Sequence, residues 1–122
     1  MQTTQKTLKN LIELWCSVKV FVPSTINVSQ EANESTVSDM VNNCLVFLSD
    51  KFWGSTSYEA LGCWISQQQW LVKEKVVICE SFTTTDWLHN NIESVIEYCE
   101  FIKKEMNQEA VSLEVNNKLY FV

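Results

Sequence analysis

Trp70-Leu-Val-Lys-Glu-Lys-Val-Val-Ile-Cys-Glu-Ser-Phe82 (WLVKEKVVICESF) is the stretch that decides the fold. Its centre, Val76-Val77-Ile78-Cys79, is short, rich in β-branched residues and bounded by Glu74 and Glu80. Short apolar runs bounded by charge read as a central strand of a sheet rather than as a helix. Side chains alternate between the faces of a strand. Glu74, Val76, Ile78 and Glu80 therefore share one face, and Lys75, Val77, Cys79 and Ser81 the other. Two acids beside two aliphatics describe a surface that is neither plain core nor plain solvent. Function is to be sought there.

The neighbouring segments fall into place around it. Tyr58–Ser66 is a second strand, joined to the first by a polar turn at Gln67–Gln69, so the two form a hairpin. Ser17–Pro23 alternates cleanly, with Val18, Val20 and Val22 facing one way and Lys19 and Phe21 the other. Pro23 ends it, because proline has no N–H for a central ladder. Ser24–Asn33 reads as a polar loop. A helix starts near Ser35 or Ser38 and runs to Phe52, with Val37, Val41, Cys44, Leu45, Leu48 and Phe52 on one stripe. Gly54 suits its C-terminal stop.

Thr83–Asp86 is a strong start for a second helix over Asp86–Asn107. Leu88, Ile92, Val95, Ile96, Cys99, Ile102 and Met106 make its stripe. Ala110–Val115 is a strand, Asn116-Asn117 a turn suited to positive φ, and Lys118–Val122 a last short strand. The order is β-α-β-β-α-β plus one. It predicts an α+β, ferredoxin-like sandwich: two helices on one face of an antiparallel sheet, with an extra C-terminal hairpin strand. The helices should cover Val18, Val20, Val22, Leu61, Cys63, Ile65, Val77, Cys79, Val111, Leu113 and Val115. The open face should carry Lys19, Phe21, Gly62, Trp64, Glu74, Val76, Ile78, Glu80, Ser112 and Glu114. Residues 1–122 read as a single domain, with the first ten loosely ordered.

A 46% apolar and 20% charged composition is that of a globular chain, which excludes intrinsic disorder. All nine basic residues are Lys. The absence of Arg fits an AT-rich coding genome, and it removes bidentate guanidinium recognition of phosphate. The net charge of −6 argues against direct nucleic-acid binding and against adhesion to anionic lipid. Cys16, Cys44, Cys63, Cys79 and Cys99 are scattered through apolar runs without metal-type spacing, as buried free thiols in a reducing compartment would be. No apolar run approaches the ~20 residues of a membrane span, and nothing resembles a signal peptide. A cytoplasmic location is expected, in the host cytoplasm if the chain is phage-encoded.

Gly54-Ser-Thr-Ser57, Gly62-Cys-Trp64, Leu71-Val-Lys-Glu74 and Gln108-Glu-Ala-Val111 occur in this order. The set resembles the GxT, GxW, VxE and QExV motifs of a bacterial domain-of-unknown-function family of short ferredoxin-like proteins. The resemblance covers about residues 52–115. It implies the same fold and no particular reaction. The chain departs from it at Trp53 and Asn117, where Gly is usual, and at Lys73, where Arg is common.

Several groups are candidates for chemistry. Glu59, Glu74, Glu80, Glu109 and Glu114 could supply a carboxylate pair, Glu80 first among them because a half-buried carboxyl tends to a raised pKa. The ordinary alternative is that Glu80 pairs with Lys19 or Lys75. His89, the only histidine, has no second histidine to complete a site. A Cys–His nucleophile using Cys79 or Cys99 is rejected, since both lie in apolar stripes where a thiolate is disfavoured. Phe21, Trp64, Val76 and Ile78 form an aromatic–aliphatic patch that reads as an interface, as a ligand platform, or as a surface covered by Leu14 and Trp15.

The leading expectation is a non-enzymatic binding protein that works through this open face. It would self-associate or meet a partner with a basic surface, as a phage or mobile-element inhibitor of a host defence or nucleic-acid enzyme would. Its binding residues are Phe21, Trp64, Glu74, Val76, Ile78, Glu80 and Glu114, with no catalytic residue, metal or cofactor. The alternative is a small-ligand binder or small enzyme, for a nucleotide or metabolite, with a pocket around Trp64 and Glu80.

Overall fold

Valine at every second position gives Cys16–Pro23 one wholly buried face: Val18, Val20 and Val22 are sealed from solvent. This strand, β1, is the middle of the sheet. The computed structural model describes residues 7–27, 30–68 and 70–122. Residues 1–6 of the segment expected to be loosely ordered, Val28 and Ser29 of the expected loop, and Gln69 of the expected turn lie outside them. A 3-10 turn at Leu8–Asn10 precedes β1. After it come β2 (Thr25–Asn27), β3 (Gln30–Glu31), α1 (Glu34–Phe52), β4 (Thr56–Ser66), β5 (Trp70–Thr83), α2 (Thr85–Glu105), β6 (Ser112–Val115) and β7 (Lys118–Phe121). The main sheet has the order β4-β5-β1-β6-β7 and every pair in it is antiparallel. Both helices pack on one face. This is the ferredoxin-like α+β plan with an extra edge strand.

The core lies between that face and the helices. Cys44, Leu48 and Phe52 from α1 and Val95, Cys99 and Ile102 from α2 meet the three valines of β1, Cys79 of β5 and Leu113 of β6. Side-chain caps start both helices: Asn33 accepts from Thr36 N–H and Thr84 from Trp87 N–H. Glu34 and Asp86 in the first turns, with Lys51, Lys103 and Lys104 in the last, complement the helix dipoles. Among the described residues no helix is long and apolar enough to cross a membrane.

Four local expectations need correction. The segment after Pro23 is not all loop: Thr25 pairs with Glu31, so β2 and β3 form a small hairpin. Helix α1 ends on Trp53 and not on Gly54. Trp53 takes the left-handed conformation at φ 71°, and its N–H donates to Ser49 O at 2.8 Å. Asn117 also has positive φ, so both places where Gly is usual are left-handed. The strand over Ala110–Val115 is shorter than expected, although Val111 still exchanges two backbone hydrogen bonds with Val122.

The fourth correction matters most. Leu61, Cys63 and Ile65 lie in register with Lys75, Lys73 and Leu71 on the helix side, but no helix covers them. The reason is length. The pairing of β1 with β5 ends at Pro23–Val76, whereas β4 and β5 stay paired to Ser66–Trp70. Six further residue pairs at ~3.3 Å each carry the hairpin roughly 20 Å past the end of β1.

Candidate functional site

The projecting hairpin and the end of β1 frame an open cleft of 1220 Å³. Its lining takes in both faces of the arm: Tyr58, Trp64, Glu74 and Val76 on the open face, Leu61, Lys73, Lys75 and Val77 on the other, with Thr25 of β2 and Val37 and Val41 of α1. Strand parity builds its open-face part. Tyr58, Ala60, Gly62 and Trp64 of β4 stand opposite Ile78, Val76, Glu74 and Val72 of β5. Two small residues between two aromatics leave a trough on the open face, with the aromatic positions about 20 Å apart along the strand backbone. Gly62 adds no side chain opposite Glu74, so the carboxylate lies at the floor of the trough.

Glu74 is held in place. Its Oε1 accepts from Thr25 Oγ at 2.9 Å. Thr25 is itself fixed by Gln108, whose Nε2 donates to Thr25 O at 2.8 Å and to Met106 O at 2.9 Å. The chain from α2's C-terminal loop through β2 to β5 fixes the carboxylate, and no ion pair reaches it among the described residues. Its second oxygen makes no hydrogen bond among the described residues, which leaves it free for a ligand.

Glu80 sits elsewhere. Six residues along β5, it belongs to a second cluster at the centre of the open face. Lys19 Nζ lies 3.6 Å from Glu80 Oε2 and 3.0 Å from Glu114 Oε2. Register dictates this, because Lys19 is directly opposite Glu80 on one side and Glu114 on the other. The hydrogen bond with Glu114 is the main cause that raises the Lys19 pKa above its ordinary 10.5; Tyr58 and Glu80 add to it and desolvation opposes it. The pocket expected around Trp64 and Glu80 is therefore a pocket around Trp64 and Glu74.

Of the seven residues expected to bind, Phe21, Glu80 and Glu114 cluster with Lys19, and Trp64, Glu74 and Val76 reach the cleft. Ile78 faces the same way but is buried between Phe21 and Tyr58. Leu14 and Trp15 do not roof the open face. Leu14 lines a small apolar pocket with Phe52, Trp53 and Trp87, and the Trp15 indole donates to Thr85 Oγ at 2.8 Å. The sequence reading missed Tyr58, Thr25 and Gln108. Tyr58 could have been found from its even spacing to Trp64; Gln108 could not, because its partner is 83 residues away.

The thiols offer no nucleophile in the core. Cys44, Cys79 and Cys99 are fully buried. The hydrogen bond between Cys44 and Cys79 raises the Cys44 thiol and lowers that of Cys79, where burial opposes it, and burial pushes Cys99 up to about 12. His89 is exposed on α2. Among the described residues no cluster of three His, Cys, Asp or Glu side chains could hold a metal ion.

No family model and no curated protein matches this chain. Among solved structures it is similar to a phage SAM lyase in complex with S-methyl-5'-thioadenosine, with a TM-score of 0.64 and 14% identity over 96% of this chain and 95% of that one. It is also similar to a phage SAM lyase in the apo state, with a TM-score of 0.55 and 14% identity over 88% and 87%. At this identity the likeness shows a shared fold. Both neighbours are named as enzymes acting on a small molecule, and this overturns the expectation of a non-enzymatic binder working through the bare sheet face. The small-ligand alternative is the better supported reading.

Proposed function

We propose that the chain is a small enzyme that binds S-adenosylmethionine in the trough between Tyr58 and Trp64 and releases S-methyl-5'-thioadenosine. The observation that carries this is the trough itself: two aromatic walls and a fixed, uncompensated carboxylate, in a chain whose fold runs end to end with that of a lyase holding the thioether. The Trp64 indole offers a stacking surface for adenine. The free oxygen of Glu74 draws the sulfonium cation, helped by the net charge of −6. Tyr58 closes the far end with a phenol that can donate to the ligand.

Forming the thioether breaks the bond between sulfur and the amino-acid chain. Sulfur keeps both electrons and loses its positive charge. The carbon left behind is captured by the carboxylate of the ligand's own amino-acid chain, which closes a lactone and releases no proton, so the protein supplies no covalent partner. Its work is to hold the ligand folded and to keep water away from the bond. The phage origin of both neighbours supports a phage-encoded chain acting in the host cytoplasm.

The test is incubation of the purified chain with S-adenosylmethionine and separation of the adenosyl products by chromatography. The expected product is S-methyl-5'-thioadenosine. Intact substrate at stoichiometric protein, with no thermal shift from either compound, overturns the proposal.

A further inference from the structure

The two edges of the sheet are built differently. β7 is four residues long, opens with Lys118 and is one strand of a tight hairpin. Short edges carrying Lys discourage pairing with another chain. β4 is eleven residues long, contains neither Lys nor Pro, and has a single charge at Glu59. It pairs with β5 on one side only, and no backbone hydrogen bond outside the ladders reaches it among the described residues. Leu61 and Ile65 are 57% and 60% exposed on one face of it, and Tyr58 and Trp64 are exposed on the other.

We propose that β4 pairs antiparallel with β4 of a second copy of this chain, centred on Leu61, to join two sheets into one. The inference does not rest on the ligand reading above, although Tyr58 and Trp64 serve in both. Three features of the strand select this occupant and this register. A symmetric antiparallel pair must match residues of the same face, so the sum of paired numbers is even. Centring on Leu61 pairs every residue of Thr56–Ser66, the longest overlap the strand allows. It also puts Tyr58 against the second copy's Trp64, and Leu61 against Leu61, as aromatic and aliphatic cross-strand pairs. Glu59 then faces the second copy's Cys63. Centring two residues earlier sets Glu59 against Glu59, a like-charge pair that is destabilising. The strand is thus self-complementary in the one register that uses its whole length.

Cys63 is the only exposed cysteine among the five and makes the register readable. In the chain carrying Glu59→Cys, residues 59 and 63 are roughly 13 Å apart along one strand, too far for a disulfide within a chain. Across the proposed pair they are neighbours. Diamide takes two electrons and two protons from the two thiols and becomes the hydrazine, leaving the disulfide. The expected results are a dimer by light scattering, a monomer for Leu61→Lys with unchanged circular dichroism, and a covalent dimer of Glu59→Cys that Cys63→Ser abolishes. A monomeric wild type overturns the pairing, as does a dimer indifferent to Leu61→Lys. A wild-type Cys63–Cys63 cross-link without one between residues 59 and 63 overturns the register. Thioether production is measured separately, so a monomer that still makes it sinks the pairing and leaves the ligand reading intact.

Discussion

The β4–β5 hairpin has a base and an arm, and they use the same kinds of residue to opposite ends. At the base, Val77, Cys79 and Ser81 of β5 lie beneath two helices, and Cys79 is sealed from solvent. Along the arm, Leu61, Ile65 and Leu71 are as apolar as anything in the core and stand in water on the same face of the sheet. Hydrophobicity alone does not distinguish them. What differs is whether α1 reaches that far. The arm also reverses the usual preference of the two faces. Its open-face residues Val72, Glu74 and Val76 are half-buried, while Leu71, Lys73 and Lys75 beside them are exposed. A sheet that keeps its better-protected side away from its helices has built something on that side, and the trough with Glu74 is what it built.

The sharpest way to break this contrast is to remove the same methyl groups from each part. Leu48→Ala in the core should cost ~2–5 kcal/mol, because the closed interior cannot collapse onto the gap. Ile65→Ala on the arm should change stability by less than ~0.5 kcal/mol, as exposed substitutions do. Urea unfolding at protein concentrations too low for association checks both. Equal losses would mean that the arm is packed in solution.

The acids sharpen the contrast by function. Glu74→Gln removes the charge from the trough while keeping its hydrogen bond from Thr25. It should raise KM for the sulfonium substrate by about 10-fold, with kcat kept or raised and little change in unfolding midpoint, because the charge it attracts disappears as the bond breaks. Glu80→Gln should show the opposite pattern, with stability reduced and KM nearly kept. If the two variants exchange patterns, the site lies at the sheet centre and not on the arm.

How much of this was legible in the sequence follows from range. The strand alternation of residues 17–23 and 58–82 gave the two faces of these strands, because the period of two is a local property of the chain. The caps at Thr84 and the turn at Asn116-Asn117 were equally local. Which half of a strand is covered is not local: it depends on where α1 starts and how far β5 outruns β1, and Leu61 and Val20 look alike in one dimension. The choice of Glu74 over Glu80 had the same obstacle. Register with Lys19 claims Glu80 as an ion-pair partner, and register with Gly62 frees Glu74. Neither can be read until the strands are aligned. Trp53 in a left-handed position defeated the local rule because Gly54, the better residue, stands next to it.

Lys19 gives a smaller effect with a definite sign. Its pKa in the folded chain is raised above the ordinary 10.5, chiefly by Glu114. A group with a raised folded pKa stabilises fully below its unfolded value and loses that contribution as pH climbs through the folded one. Stability should therefore hold through neutral pH and fall above about 10.5 in the wild type. Lys19→Met should be less stable at pH 7, because Glu80 and Glu114 then face each other without a cation. It should also show a weaker decline at alkaline pH. A parallel decline in both proteins would mean that Lys19 is not what titrates.

The finest distinction concerns two solvent-facing tryptophans, Trp53 and Trp64. Trp53 is 80% exposed, yet its ring meets Trp87 edge-on at 4.5 Å between centroids. Trp64 is exposed on the arm and has no ring partner among the described residues. An edge-to-face pair contributes ~0.5–1.5 kcal/mol beyond burial. Trp53→Gly relieves a left-handed side chain, worth ~1 kcal/mol, but makes the unfolded chain freer by a similar amount. The single substitution should thus nearly cancel, and only a cycle with Trp87→Ala exposes the pair, as a coupling of ~0.5–1.5 kcal/mol. The same cycle between Trp64 and Trp87 should give zero. Adding S-methyl-5'-thioadenosine should then make Trp64→Ala destabilising where it was silent, because the ring's partner in the trough is the ligand. If Trp64→Ala is costly without ligand at monomer concentrations, the arm's aromatic wall is a packed element of the fold, and the division between base and arm fails at the point where it is meant to explain binding.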